Sequence, residues 1–152
     1  QVFSPDGEFL RKWGSKGSGD GQLLFPWGVM VDEGGNVYIA DTGSVQATRL
    51  TSLLLHESTE TNSRVQVFSS DGEFLDQWTD FKGPMGIHID ANQTVYVTDQ
   101  VPRISILDLD GKLLARGRTF EYGHNVYTDS RGDIYAVDVA NQRVQKFARQ
   151  GA

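Results

Sequence analysis

Three histidines, His56, His88 and His124, are the side chains here best suited to chemistry, because a neutral imidazole binds metals and passes protons near neutral pH. No cysteine accompanies them, which removes disulfides and thiolate metal sites without fixing a compartment. Tyr122 and Tyr127 flank His124. Carboxylates recur at Asp32, Asp90 and Asp129, and again at Asp41, Asp99 and Asp138. A residue needed once per repeat suits a turn device that accepts backbone N–H bonds, and the second set is expected to serve the turn that follows its strand. Arg64, Arg103 and Arg143 are the expected partners of these acids. Ser-His-Asp spacing, a phosphate-cradling glycine loop and a Cys/His cluster are all missing from the sequence, so no self-sufficient catalytic set is visible.

The elements that position these residues follow from an internal repeat. Pro26-Trp27-Gly28-Val29-Met30-Val31-Asp32 leads through a polar turn to Asn36-Val37-Tyr38-Ile39-Ala40-Asp41. Pro84 to Asp90 leads likewise to Thr94 through Asp99, and Gly123 to Asp129 leads to Asp133 through Asp138. Each time the first Asp precedes the Tyr (Tyr38, Tyr96, Tyr135) by six residues, and the Tyr precedes the second Asp by three. An Arg-led apolar run comes next, then Asp71-Gly72 or Asp110-Gly111, then a further run. Alternating apolar and polar residues argue half-buried strands, and Asp-Gly between two of them argues a hairpin. Each unit therefore reads as four antiparallel strands, A to D, and such sheets at this period are propeller blades.

The expected fold is all-β, a β-propeller of four-stranded antiparallel blades. Residues 1–13 read as the end of a preceding blade and 26–78 as a blade carrying an insertion at 44–61. Residues 84–116 read as a second blade, and 123–149 as a last blade lacking strand D. The insertion is identified by arithmetic: Asp32 to Asp90 is 58 residues, and removing 18 restores a period of 40, against 39 from Asp90 to Asp129. It is expected to be a tolerated surface loop, either mobile or with a short helical turn around Leu53 to Leu55, since long loop insertions add little closure entropy; a lid or partner-binding loop is the alternative. His56 falls inside it.

Propeller ligands gather around the central channel, on loops entering the innermost strand. The position just before strand A carries Trp27, Met85 and His124, so these residues with Tyr122 and Tyr127 form the candidate ligand-binding mouth. Trp27 and Met85 supply apolar walls. His88, inside strand A, faces either the channel or a neighbouring blade. The structural roles expected of the repeated tyrosines are in blade packing.

Phe25-Pro26-Trp27-Gly28-Val29, Asn36 through Gly43, and Asn62-Ser63-Arg64-Val65-Gln66-Val67-Phe68 together resemble an NHL repeat, a likeness that runs over nearly the whole chain outside the insertion. NHL propellers usually have six blades, so the resemblance implies about three blades of six, with the ring closed by missing blades of a longer chain or by a second chain. The segment Asp129 to Tyr135 with Arg143 to Phe147 resembles the last blade of six-bladed bacterial NHL proteins, some similar to peptidyl-α-hydroxyglycine α-amidating lyase. In those lyases, histidines on comparable loops of separate blades hold a catalytic zinc. The resemblance thus implies a possible zinc in the full-length protein, with His124 as a metal ligand here. One imidazole is not a catalytic site, which takes three protein ligands.

Three functions follow in order: a ligand- or protein-binding scaffold, a metal-dependent lyase completed by other blades, and RNA binding. The formal charge of −6, from 14 Lys+Arg against 20 Asp+Glu, opposes the last, since phosphate binding relies on basic groups. No apolar run approaches the ~20 residues of a membrane helix, and Gln1-Val2-Phe3-Ser4 has no basic patch leading into an apolar stretch. A soluble segment without membrane contact is expected, its compartment left open.

Overall fold

The computed structural model describes residues 1–43, 62–118 and 123–149. Within them the regular structure is all strand, β1 to β15. Two four-stranded antiparallel sheets dominate. The first runs β5 (Pro26–Val31), β6 (Val37–Asp41), β7 (Arg64–Phe68), β8 (Phe74–Trp78), and the second β9 (Pro84–Ile89), β10 (Val95–Asp99), β11 (Arg103–Leu107), β12 (Leu113–Arg118). A third sheet has β13 (Gly123–Thr128), β14 (Ile134–Asp138) and β15 (Arg143–Phe147). In each, chain order equals spatial order, the up-and-down meander of a propeller blade. Ahead of them lie an antiparallel pair, β1 (Val2–Phe3) and β2 (Phe9–Arg11), and a parallel pair, β3 (Ser15–Lys16) and β4 (Gln22–Leu23). The 44–61 stretch, with His56 and the expected turn at Leu53 to Leu55, lies outside the described residues, as does Tyr122.

The two-residue period of a strand decides how the sheets stack. From β6, Tyr38 and Ala40 enter one cluster with Val65, Val67 and Trp78 of their own sheet and Ile87, Ile89, Val95 and Val97 of the second. Val37 and Ile39, on the opposite face, pack with Phe68, Trp13 and Leu23. The second sheet repeats the arrangement toward the third, through Tyr96 and Ile104 against Val126 and Ile134. Each blade therefore has a leading and a trailing face, and blades join trailing to leading. Burial of each aliphatic side chain in these seams contributes about 1.5–3 kcal/mol.

The repeated acids hold the two ends of each blade. Asp32, Asp90 and Asp129 accept the backbone N–H four residues on, closing the β5–β6, β9–β10 and β13–β14 turns. The same carboxylates also accept the hydroxyl of Tyr38, Tyr96 and Tyr135, each at 3.0 Å. The tyrosines are thus tethered at their tips as well as packed. Burial, then the bond to Asp90, pushes the Tyr96 phenol up to about 12.

Asp41, Asp99 and Asp138 are fully buried, and each pairs with its expected arginine, Arg64, Arg103 or Arg143. Their backbone partners differ from expectation. Asp138 does accept Asn141 N–H in the following turn, but Asp41 takes the N–H groups of Leu24 and Phe25, and Asp99 that of Lys82. Those donors precede strand A of the same blade. In the first two blades the acid at the end of strand B therefore fixes the loop that delivers the chain to the innermost strand. Arg64 and Gln66 extend the hold: Arg64 donates to the carbonyls of Gly19 and Gln22, both at 2.8 Å, and Gln66 donates to Gln22 and accepts from Gly21. The glycine-rich 14–25 connection is thus anchored largely through its backbone, with the Leu23 side chain packed against the Val37, Ile39 and Phe68 cluster.

Candidate ligand site at the channel mouth

Trp27, Met85 and His124 sit at the entrances of β5, β9 and β13, the innermost strands. All three entrances break register. Pro26 pairs with Asp41 and Gly28 with Ala40, leaving Trp27 unpaired; Gly123 pairs with Asp138 and Asn125 with Val137, leaving His124 unpaired. Between Pro84 and Ile87 the β9–β10 ladder shifts in the same way around Met85. A bulge bends the strand and re-aims the extra side chain, a device often found beside binding sites.

The consequence is a single concave surface. A cavity of about 490 Å³ is lined by Trp27, Met85, His124 and Tyr127 together with Asn125 and Val137. The Trp27 and His124 rings meet edge to face, with centroids 5.4 Å apart and planes at 87°. Met85 is buried beneath them, whereas Trp27 is 52% and Tyr127 64% exposed. Of the expected mouth residues the structure brings these four together. Among the described residues, the cavity wall carries no Asp, Glu, Lys or Arg.

His88 also lines this cavity, at the seam between two blades. It is buried, and its Nε2 lies 2.9 Å from the Thr128 hydroxyl, across the seam between the second and third blades. The ring rests against Tyr127 at 4.4 Å and Tyr96 at 6.1 Å. Burial holds its pKa below the usual histidine value, with Asp90 acting weakly the other way. An unfolded chain takes up the proton near pH 6.5, and the folded chain resists it. Stability is therefore expected to fall as pH drops through 6.5, levelling off below the folded pKa. His88→Gln, which keeps a hydrogen-bonding group toward Thr128, should remove this part of the pH dependence. Urea midpoints between pH 7.5 and 5 for the two proteins, subtracted, test it; parallel curves would refute the assignment.

The residues do not form a metal centre by themselves. Among the described residues no group of three His, Cys, Asp or Glu side chains converges on a point that could hold an ion. His124 stands with Trp27 rather than with other ligands, so no catalytic step through zinc is derived for this chain.

Asn125, Val137 and Thr128 were not singled out by type or spacing. A signal for Asn125 does exist: the Pro-x-Gly of the first two units becomes Gly123-His124-Asn125 in the third.

Stacked four-stranded meanders around a shared mouth define this chain as a segment of a β-propeller. Comparison with known proteins agrees. The chain is similar to Protein lin-41 of Caenorhabditis elegans, 36% identical over 66 residues, which is 43% of this chain and 4% of that protein. Among solved structures it is similar to a streptogramin B lyase, with a TM-score of 0.54 and 14% identity over 78% of this chain and 39% of the other. It is also similar to a catalytically inactive virginiamycin B lyase from Staphylococcus aureus with quinupristin, at a TM-score of 0.52 and 12% identity over 84% and 42% of the two chains. No family model matches. The chain thus spans a small part of its curated relative and about two fifths of the two structures. Identity this low in the structures speaks to fold alone. Among the described residues, no helix is long and apolar enough to cross a membrane.

Proposed function

We propose that this chain is the ligand-binding part of an NHL-type propeller scaffold, whose mouth takes an apolar or aromatic group from a small molecule or a protein. The observation that carries this reading is the half-exposed Trp27 ring, met edge to face by His124, on a concave wall whose described residues include no Asp, Glu, Lys or Arg. Ligand pockets are mostly apolar with a few polar groups that set orientation, and exposed tryptophan and tyrosine are favoured as contact residues. Lyase chemistry would need groups beyond the described residues. RNA binding is disfavoured by the acidic balance and by the lack of Lys or Arg among the described mouth residues.

The test uses 3-methylindole, an aromatic probe without charge or amide, followed by two-dimensional NMR. Saturable shifts are expected at the Trp27 indole, the Met85 methyl and the Tyr127 ring. Trp27→Ala should weaken binding about tenfold, the scale of losing a buried aromatic contact, while leaving the fold intact, since this side chain is half exposed. Shifts scattered over the surface, or none, would sink the reading.

A further inference from the structure

The seams between successive blades are not alike. Two are closed by a tryptophan at or just past the end of a strand D: Trp13 lies over Gly72, and Trp78 over Gly111. At the seam between the second and third blades the equivalent residue is Gly117. Register establishes the equivalence, since Trp78 pairs with Val65 across β7–β8 and Gly117 with Ile104 across β11–β12. A Cβ on Gly117 would find only Ile104 Cγ2, at 3.7 Å, so β12 is open where β8 carries an indole.

The surrounding residues record the difference. Trp78 shares its cluster with Tyr38, Val67, Val95 and Leu107, all buried. Their counterparts at the other seam are Tyr96, Ile106, Ile134 and Phe147; the tyrosine is buried, but the three aliphatic and aromatic neighbours are only half-buried. All four line a cleft of about 960 Å³ between the two blades. Strand D of the following blade does not fill this place at the sister seam: β12 is exposed along its length and lends nothing to the Trp78 cluster. The opening therefore traces to Gly117.

A second departure gives the cleft a charge. Two residues past strand C the chain has Ser70, then Leu109, then Arg149. Leu109 packs against the Trp78 cluster, whereas Arg149 lines the cleft. Its charge reaches the Tyr96 phenol, where burial and the Asp90 bond act upward and Arg149 acts against them. The other charged groups of the cleft are spent on their own turns: Asp90 accepts from Asn92, Thr94 and Tyr96, and Asp129 pairs with Arg131. The Arg149 guanidinium enters none of the ion pairs among the described residues.

We infer that the seam between the second and third blades is a binding slot for a small aromatic acid. The ligand's ring lies on Tyr96, as the Trp78 ring lies on Tyr38 with centroids 5.5 Å apart, and its carboxylate meets Arg149. The sister seam shows which ring these faces hold, and the uncommitted guanidinium sets the charge of the group beside it. This slot is independent of the reading of the mouth.

The experiment titrates the chain with indole-3-acetate and with 3-methylindole, which share the ring and differ in the carboxylate, and follows methyl and aromatic NMR signals. Indole-3-acetate is expected to shift the Ile104 and Ile106 methyls and the Tyr96 ring, binding there about tenfold more tightly than 3-methylindole, the yield of one charge-assisted hydrogen bond. Arg149→Gln should erase that preference. Gly117→Trp, which installs the sister residue, should abolish the shifts and raise the thermal unfolding midpoint. Trp27→Ala, at the mouth, should leave slot binding unchanged. Shifts confined to Trp27 and Met85, binding lost in Trp27→Ala, a preference surviving in Arg149→Gln, or binding persisting in folded Gly117→Trp would each overturn the slot. If Gly117→Trp does not fold, the Arg149→Gln comparison decides by itself.

Discussion

Gly86→Ala is expected to destabilise the protein by about 2–4 kcal/mol, although it adds one methyl group and raises intrinsic strand preference. The reason is the identity of the atoms in its way. The new Cβ would meet Asn125 Cα at 2.7 Å, Thr98 Oγ1 at 2.8 Å and the His124 carbonyl oxygen at 2.9 Å. Two of the three are backbone, which cannot swing aside. Relief requires β13 to move away from β9, opening the seam filled by Tyr96, Ile104 and Val126. Thr98 Oγ1 also accepts the Gly86 N–H at 3.1 Å, so that bond is strained too. Gly117→Ala on the outer strand β12 is the matched control, because its Cβ finds only Ile104 Cγ2 at an ordinary 3.7 Å. Urea denaturation should show a large loss for the first and a change within about 0.5 kcal/mol for the second. A small effect at Gly86 would mean that neighbouring inner strands lie farther apart than this structure places them, and the shared mouth would be lost with that spacing.

The residues that announced the fold did so because their roles are local and repeated. Asp-Gly at 71–72 and 110–111 marks a turn through glycine's left-handed backbone, with φ of +89° and +76°. The Arg–Asp pairs were legible because strands of fixed register place one beside the other in every unit. The six-residue Asp–Tyr spacing was visible too, but only coordinates show that turn and strand bring the hydroxyl onto the carboxylate. What escaped the sequence depends on contacts between distant segments. Nothing local links Asp41 to the N–H groups of Leu24 and Phe25, and the two-residue strands β3 and β4 carry no alternation long enough to detect. The mouth was half legible. Equivalent positions in the repeat pointed to Trp27, Met85 and His124, but the edge-to-face meeting of Trp27 and His124 depends on the curvature of three successive blades. Whether His88 looked toward the channel or a neighbour was open in sequence because both satisfy the strand period; in the structure its ring bonds Thr128 across the seam and also lines the mouth cavity.

Trp78 and Gly111 are expected to be strongly coupled, and the coupling tests how blades are joined at their outer edge. Trp78, at the end of β8, is buried against Tyr38 with ring centroids 5.5 Å apart, and its Nε1 donates to Asp76 at 3.2 Å. Its ring also covers the hairpin turn of the next blade: a Cβ on Gly111 would stand 2.3 Å from Nε1 and 2.5 Å from Cδ1 and Cε2. Trp13 covers Gly72 in the same manner, so the contact belongs to the architecture rather than to one seam. Trp78→Ala should cost about 3–5 kcal/mol, as loss of a large buried side chain does. Gly111→Ala alone should cost about 2–3 kcal/mol. About 1 kcal/mol of that is the left-handed backbone that alanine adopts poorly, and the remainder is displacement of the indole. Once Trp78 is alanine, the second component has no source, and Gly111→Ala should cost only the first. The double mutant should therefore be less destabilised than the sum of the singles by about 1–2 kcal/mol. Strict additivity in urea denaturation would show that the indole does not rest on the turn, and that the seam is held by the inner-strand contacts alone.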